Sequence, residues 1–346
     1  MTMTTIERTH AVIGGVDTHG QVHVAAAIDT VGGVLGTASF PTTRRGYDQL
    51  LGWLRAYGPV RLVGVEGTGA YGAGLTRRLS ECGVAVSDVS RPNRQERRRQ
   101  GKSDVKDAVE AARAALSGRC QPVKTKIGPT ESIRVLLVAR RSATQARTKA
   151  LVQMRHLVIT APDEVRRRFG DVSGRELVDC AARLRPGDVS DAAAATRSAL
   201  RTLARRIRAL DVERAQLERD LDRLTQLAAP RLRALLGVGV VTAATLLVTA
   251  GASSERLRSE AAFAHLCGVA PLEASSGKVS RQRLNRGGDR QANSALWRIV
   301  LVRMNCDQRT RDYVARRTVE GRSQREVMRC LKRYVAREIY RTLAQP

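Results

Sequence analysis

The order of short apolar runs in the first third of the chain constrains the fold most. Residues 11–17 (AVIGGVD), 22–29 (VHVAAAID) and 33–40 (GVLGTASF) are each of strand length. They are too short for helices, and the last two are joined by Thr30-Val31-Gly32, a hairpin signal. Residues 47–57 then place Leu50, Leu51 and Leu54 at helical spacing. Residues 60–65 read as a strand that ends in Glu66 and runs into Gly67-Thr68-Gly69. Residues 72–82 can form a helix and 84–89 a strand, and the Ala/Val/Leu pattern after Asp104 reads as another helix. The order is therefore three strands, helix, strand, helix, strand, helix. Strands joined by short turns are antiparallel, whereas a helical crossover makes its strands parallel and must be right-handed.

That layout is the one of a ribonuclease-H-like (RuvC-like) α/β domain. In such a sheet the fourth strand lies beside the first, which brings the strand ends Asp17 and Glu66 together. Asp104 and Asp107 stand three residues apart, so on a helix they share a face. Taken alone, these two acids fit a helix start capped by Ser103, where negative charge suits the helix dipole. Taken with Asp17 and Glu66, they make four carboxylates from three elements aimed at one point. Carboxylates that converge repel one another unless a cation sits between them. An all-oxygen set points to Mg²⁺, in one or two ions. Paired ions suit phosphodiester chemistry, because they stabilise both the attacking and the leaving oxygen.

A net charge of +27 calls for a polyanionic partner. Arginine carries most of it, and its planar fork suits phosphate. Arg94, Arg97, Arg98, Arg99 and Lys102 crowd the stretch just before Asp104 and read as phosphate contacts. Only 3% of residues are aromatic, which makes base stacking a poor candidate for the main binding mode. Six scattered cysteines without a CxxC, and five histidines, give no expectation of a zinc site. No signal peptide or membrane span is expected, which places the protein in the cytoplasm, on the nucleoid when it acts.

Three domains are expected: 11–128, 129–228 and 229–346. The middle one reads as helical, with one long helix over 130–160. Its stripe of Leu200, Leu203, Ile207, Leu210, Leu217, Leu221 and Leu224 is interrupted by Arg214. Such a stripe needs a partner helix, either inside the chain or in a second copy. Pro230 marks a boundary, and Leu235-Leu236-Gly237-Val238-Gly239 resembles a helix-hairpin-helix turn. Residues 268–288 are glycine-rich and basic, with Ser275, Ser276, Gly277, Lys278, Arg281, Arg283 and Arg286, and the remainder is a basic helical tail.

Three motifs now combine: Val16-Asp17-Thr18-His19, Val65-Glu66-Gly67-Thr68-Gly69 and Lys102-Ser103-Asp104-Val105-Lys106-Asp107-Ala108. They resemble the DEDD signature of the insertion-sequence-110 family of transposases. A second set resembles that family's C-terminal domain: Phe263 to Pro271, Ser275-Ser276-Gly277-Lys278, and Arg283-Leu284-Asn285-Arg286-Gly287-Gly288-Asp289-Arg290. The resemblance covers about 11–170 and 230–310. It implies a recombinase that moves a mobile element, guided by a structured non-coding bridge RNA that pairs with donor and target DNA. It implies Mg²⁺ on Asp17, Glu66, Asp104 and Asp107. It also implies a serine, Ser276 with Ser275 as the fallback, that links covalently to a DNA phosphate within a tetramer built from homodimers. Lys278, Arg281, Arg283 and Arg286 would contact nucleic acid. Two other classes stay open: a junction-resolving nuclease that uses the four acids alone, and a non-catalytic nucleic-acid-binding protein. A sugar-kinase-like ATPase, raised by Gly15-Val16-Asp17-Thr18, lacks the later phosphate loops.

Overall fold

The computed structural model describes residues 11–89, 103–123, 128–189, 191–251, 259–277 and 279–344. The chain divides into two compact units, Met1–Lys126 and Ile127–Pro346.

The first unit is built on a mixed sheet. Its strands are β1 (Val12–Thr18), β2 (Val22–Ile28), β3 (Val34–Pro41), β4 (Val60–Glu66), β5 (Val86–Val89) and β6 (Gln121–Pro122), in the spatial order β3-β2-β1-β4-β5-β6. The first three form an antiparallel meander, while β4 and β5 join in parallel to β1. This is the ribonuclease-H-like arrangement. The two-residue edge strand β6, antiparallel to β5, was not legible in the sequence because it is too short to show a period. Helices α1 (Arg44–Ala56), α2 (Ala73–Glu81) and α3 (Asp104–Leu116) complete the unit.

Side-chain alternation along each strand assigns the two faces. Val12, Val16, Val63 and Val65 pack with Leu50, Leu54, Leu75 and Leu79 of α1 and α2. Each of these leucines is fully buried and contributes about 2 kcal/mol by leaving water. The opposite face carries Ile13, Gly15 and Asp17 of β1 and Leu62, Gly64 and Glu66 of β4, and it receives α3 through Ala112 and Ala115. Gly15 and Gly64 are register partners. A Cβ on Gly15 would sit 2.2 Å from both the Ala108 carbonyl oxygen and the Ala112 nitrogen. One on Gly64 would sit 2.5 Å from the Ala111 carbonyl oxygen. The backbone of α3 therefore lies directly on two side-chain-free positions.

The second unit is almost wholly helical. Helices α4 (Gly128–Ile159) and α7 (Ala192–Ala228) pair along their length. Arg140 bonds Glu218, and Arg147 bonds Asp211 at 2.6 Å. Seven residues forward on one helix answer seven backward on the other, so the pair is antiparallel. Leu200, Ile207 and Leu221 are buried in it and the remaining stripe leucines are half-buried. Arg214, the break in the seam, is paired with Asp211 at 3.0 Å. The stripe is thus covered inside the chain, and by itself it gives no reason for a second copy. Short helices α5 (Asp163–Arg166) and α6 (Gly174–Ala182) close one end of the pair around Phe169 and Leu177. A further core joins α8 (Pro230–Arg233), α9 (Val240–Ala250), α10 (Glu260–Leu266), α11 (Arg290–Cys306), α12 (Gln308–Val319) and α13 (Gln324–Ala344). In the glycine turn between α8 and α9, Arg233 donates to the Val238 carbonyl at 3.0 Å and Arg303 to that of Leu236 at 2.9 Å. The helix before that turn is a single turn long, shorter than a helix-hairpin-helix reading implies.

Gly15→Ala should be the costliest small substitution in the first unit, because the added methyl meets helix backbone that cannot rotate away. We expect a loss of about 3 kcal/mol or more, or failure to fold. Gly52→Ala, where a Cβ meets nothing within 4 Å, should be neutral to slightly stabilising. Thermal unfolding of both variants checks this.

Candidate active site

The site grows from three element ends. Asp17 is one residue past the Val16–Val65 pair on β1, and Glu66 is one past it on β4. Both belong to the α3 face, both are buried, and the Thr18 hydroxyl donates to the Glu66 carbonyl at 2.7 Å, tying the two strand ends. Helix α3 starts at this end of the sheet. Asp104, Asp107, Ala108, Ala111, Ala112 and Ala115 share one helical stripe. The alanines lie on the sheet, which leaves the two aspartates over the ends of β1 and β4. Asp107 is buried and Asp104 half exposed. Ser103 takes the extended N-cap position but its side chain makes no capping bond. The four acids expected to meet thus lie on one face, on neighbouring strand ends and the first turn of one helix. Asp88, also acidic and on β5, belongs to the opposite face and accepts from the Thr68 hydroxyl.

A fifth residue joins them. His19 Nε2 lies 3.1 Å from an Asp17 oxygen and 3.5 Å from an Asp104 oxygen. Ligand atoms of Asp17, His19 and Asp104 all fall within 4.8 Å of one another, a group compatible with a divalent metal. The sequence gives His19 no ligand role on the ground that no two histidines stand four residues apart, yet His19 and His23 do. His23, four residues on, is buried and stacks on Tyr47 on the α1 side of the sheet, so the two imidazoles serve opposite faces. The available signal was position, two residues after a strand-end aspartate.

Burial pushes the Asp17 carboxyl above the ordinary aspartate range; His19 opposes this, while the charges of Asp107 and Asp104 add to it. The last two contributions are the mutual repulsion of converging carboxylates, and a bound cation would remove them. An oxygen-rich set with one imidazole fits such an ion.

The second unit presents the serines. Strands β7 (Leu272–Glu273) and β8 (Gln282–Arg283) form an antiparallel hairpin, extended by the Ser276–Val279 bridge. Gly277 turns at its tip with φ +55°, a left-handed conformation that glycine adopts freely. Ser275 and Ser276 are both exposed. The Ser275 hydroxyl accepts from the Arg281 backbone N–H at 3.3 Å, while that of Ser276 has no partner among the described residues. Arg281, Arg283 and Arg286 are exposed on the same segment. Arg94, Arg97, Arg98, Arg99, Lys102 and Lys278 lie outside the described residues.

The hairpin's base is clamped. A Cβ on Gly288 would fall 2.3 Å from the Gly268 nitrogen. Asp289 caps α11 through the Gln291 and Ala292 amides and accepts from Thr249. Asn285 donates to the His265 carbonyl, and Asn293 to those of Cys267 and Gly268. The Arg-Gly-Gly-Asp run therefore works as a fastening for the hairpin.

Two family models match the chain in order. One, a DEDD transposase model of IS110, matches residues 14–161, and the other, described as the transposase IS116/IS110/IS902 family, matches 229–315. The chain belongs to the IS110 transposase family. A curated relative from Streptomyces coelicolor, named as an uncharacterized 43.6 kDa protein of insertion element IS110, is 33% identical over 135 residues. That stretch is 38% of this chain and 33% of the relative, so the IS110-family chain matches about a third of that relative's length. No described helix is long and apolar enough to cross a membrane.

The raised Asp17 pKa has a signed consequence. Between the ordinary aspartate range and the raised value, the native state keeps a proton that the unfolded chain has released. Metal-free stability therefore falls as pH rises through that interval. Asp17→Asn should remove the fall, melting above wild type at pH 7 but level with it below about pH 4. Calorimetry in chelator across pH checks this.

Proposed function

We propose that this IS110-family protein is a DNA transposase that cleaves and rejoins strands with a composite site, the four acids of one protomer and the serine of another. The observation that carries this reading is the shared face of Asp17, Glu66, Asp104 and Asp107, with His19 closing on two of them. Asp17, Glu66, Asp104 and Asp107 would hold Mg²⁺, with His19 placed to add a nitrogen ligand. The ion would supply positive charge to the phosphate under attack and to the leaving oxygen.

Ser276 is the nucleophile in this reading, supported by its unengaged hydroxyl; Ser275, engaged with the hairpin backbone, is the fallback. The serine oxygen bonds to phosphorus, the bond to the leaving deoxyribose oxygen breaks, and the serine proton ends on that oxygen. The covalent link conserves the phosphodiester energy, so strands rejoin without ATP. Lys278, Arg281 and Arg283 would neutralise the phosphate, and Arg94, Arg97, Arg98, Arg99, Lys102 and Arg286 would bind nucleic-acid backbone. Recognition by a bridge RNA, paired with donor and target DNA, and assembly of homodimers into a tetramer belong to the same proposal. So do the division into 11–128, 129–228 and 229–346 and action on the bacterial nucleoid.

Ser276→Ala should bind DNA and RNA with unchanged affinity yet form no protein–DNA adduct, and Asp104→Asn should lose strand transfer by at least about 100-fold. Mixing the two inactive proteins should restore part of the activity if subunits share sites. Denaturing gels of radiolabelled DNA read all three. Cleavage without adduct in both Ser276→Ala and Ser275→Ala would replace the serine by water, the junction-nuclease chemistry.

A further inference from the structure

Beside the base of the serine hairpin lies a groove of about 1010 Å³ between α11, α13 and the segment after β8. Its lining holds Arg283, Arg286, Arg325, Arg329, Lys332 and Arg333 and no carboxylate. In a basic protein one such concentration is expected, but two features set this groove apart. First, half of its cations are uncommitted. Arg283, Arg286 and Arg325 have no acidic partner among the described residues, whereas Arg329 feels the charge of Glu326, Arg333 is held by Glu260 at 2.5 Å and Lys332 donates to Asn293 at 2.8 Å. Second, it contains an exposed indole. Trp297 is 44% exposed on the side of α11 opposite the Leu296, Ile299 and Val300 core. The chain has only two tryptophans, and the other, Trp53, packs between Phe40 and Tyr57 in the first unit.

The exposed part of this indole stands beside guanidinium groups without acidic partners, where a ligand can reach both. It gains nothing from a duplex, which offers phosphates outside and hides its base faces. An unpaired nucleobase offers both a π-face for the indole and flanking phosphates for the arginines. An acidic peptide would satisfy the arginines and leave the indole in water. We propose that this groove binds a single-stranded segment of nucleic acid and stacks one unpaired base on Trp297. The inference rests on the nucleic-acid reading above and adds to it a strand path that shares Arg283 and Arg286 with the serine hairpin and continues to Trp297.

The test uses the full chain with Trp53→Phe, so that Trp297 is the sole indole. Fifteen-nucleotide oligothymidylate and oligouridylate should quench its emission saturably, and the stronger of the two names the strand it takes. A blunt duplex of equal length, binding by anisotropy, and polyglutamate should leave the emission unchanged. Trp297→Ala should weaken single-strand binding about tenfold and spare duplex binding, with Trp297→Tyr recovering most of the loss. Equal quenching by duplex, or single-strand affinity unchanged in Trp297→Ala, overturns the groove. Quenching by polyglutamate alone gives it to an acidic peptide instead. Failure of the wild type to bind any nucleic acid at low salt would defeat the proposed function itself, whereas normal duplex binding with a silent Trp297 removes only the groove.

Discussion

The contact between the α3 backbone and Gly15 and Gly64 sets the position of everything chemical in the first unit. A helix held off a sheet by ordinary side chains can slide or tilt by the width of a methyl group. Here the Ala108 and Ala111 carbonyls rest against Cα atoms on two adjacent strands. The small alanines at 108, 111, 112 and 115 remove the remaining slack. The first turn of that helix is therefore fixed in depth and rotation above the strand ends, and two aspartates ride on it.

Fixing those aspartates has a cost visible in the same place. Asp17 is buried at a strand end with Asp104 and Asp107 facing it, and its proton is held more tightly than in water. His19, beside Asp17 and Asp104, offsets this. A site that is strained without a cation and relieved by one is suited to capturing that cation, since the protein has already made the unfavourable approach during folding. In the second unit the serine hairpin is arranged differently. Its tip is free and exposed, while its base is fastened by Asn285, Asp289 and Asn293, so a mobile-looking glycine-rich stretch is a short ribbon on a rigid foot.

Much of this was legible beforehand. The strand and helix order of the first unit followed from apolar run lengths; Asp17 and Glu66 lie where two of those runs stop, and Asp104 and Asp107 where a helical pattern begins. The helical middle followed from its leucine repeat, but its partner did not. A heptad stripe is blind to whether the helix that covers it comes from the same chain, and here α4 supplies it, with Arg140 and Arg147 choosing the register. The β7–β8 ribbon and β6 escaped notice because two-residue strands have no period. Trp297 escaped because a lone aromatic in a helical pattern reads as core.

The amino-acid sequence alone determined the longer secondary elements, the carboxylates at their ends and the large positive charge, since each depends on local pattern or on summed charge. Tertiary structure decided what pattern cannot express. It brought His19 to the aspartates and sent His23, four residues away, to the other face, because the chain reverses between β1 and β2 and linear spacing across that reversal does not set a face. It chose α4 over a second chain for the leucine stripe, and it gathered Arg283, Trp297 and Arg329 from three separate segments into one groove. Those are long-range contacts, and their energies depend on distances that no linear spacing encodes.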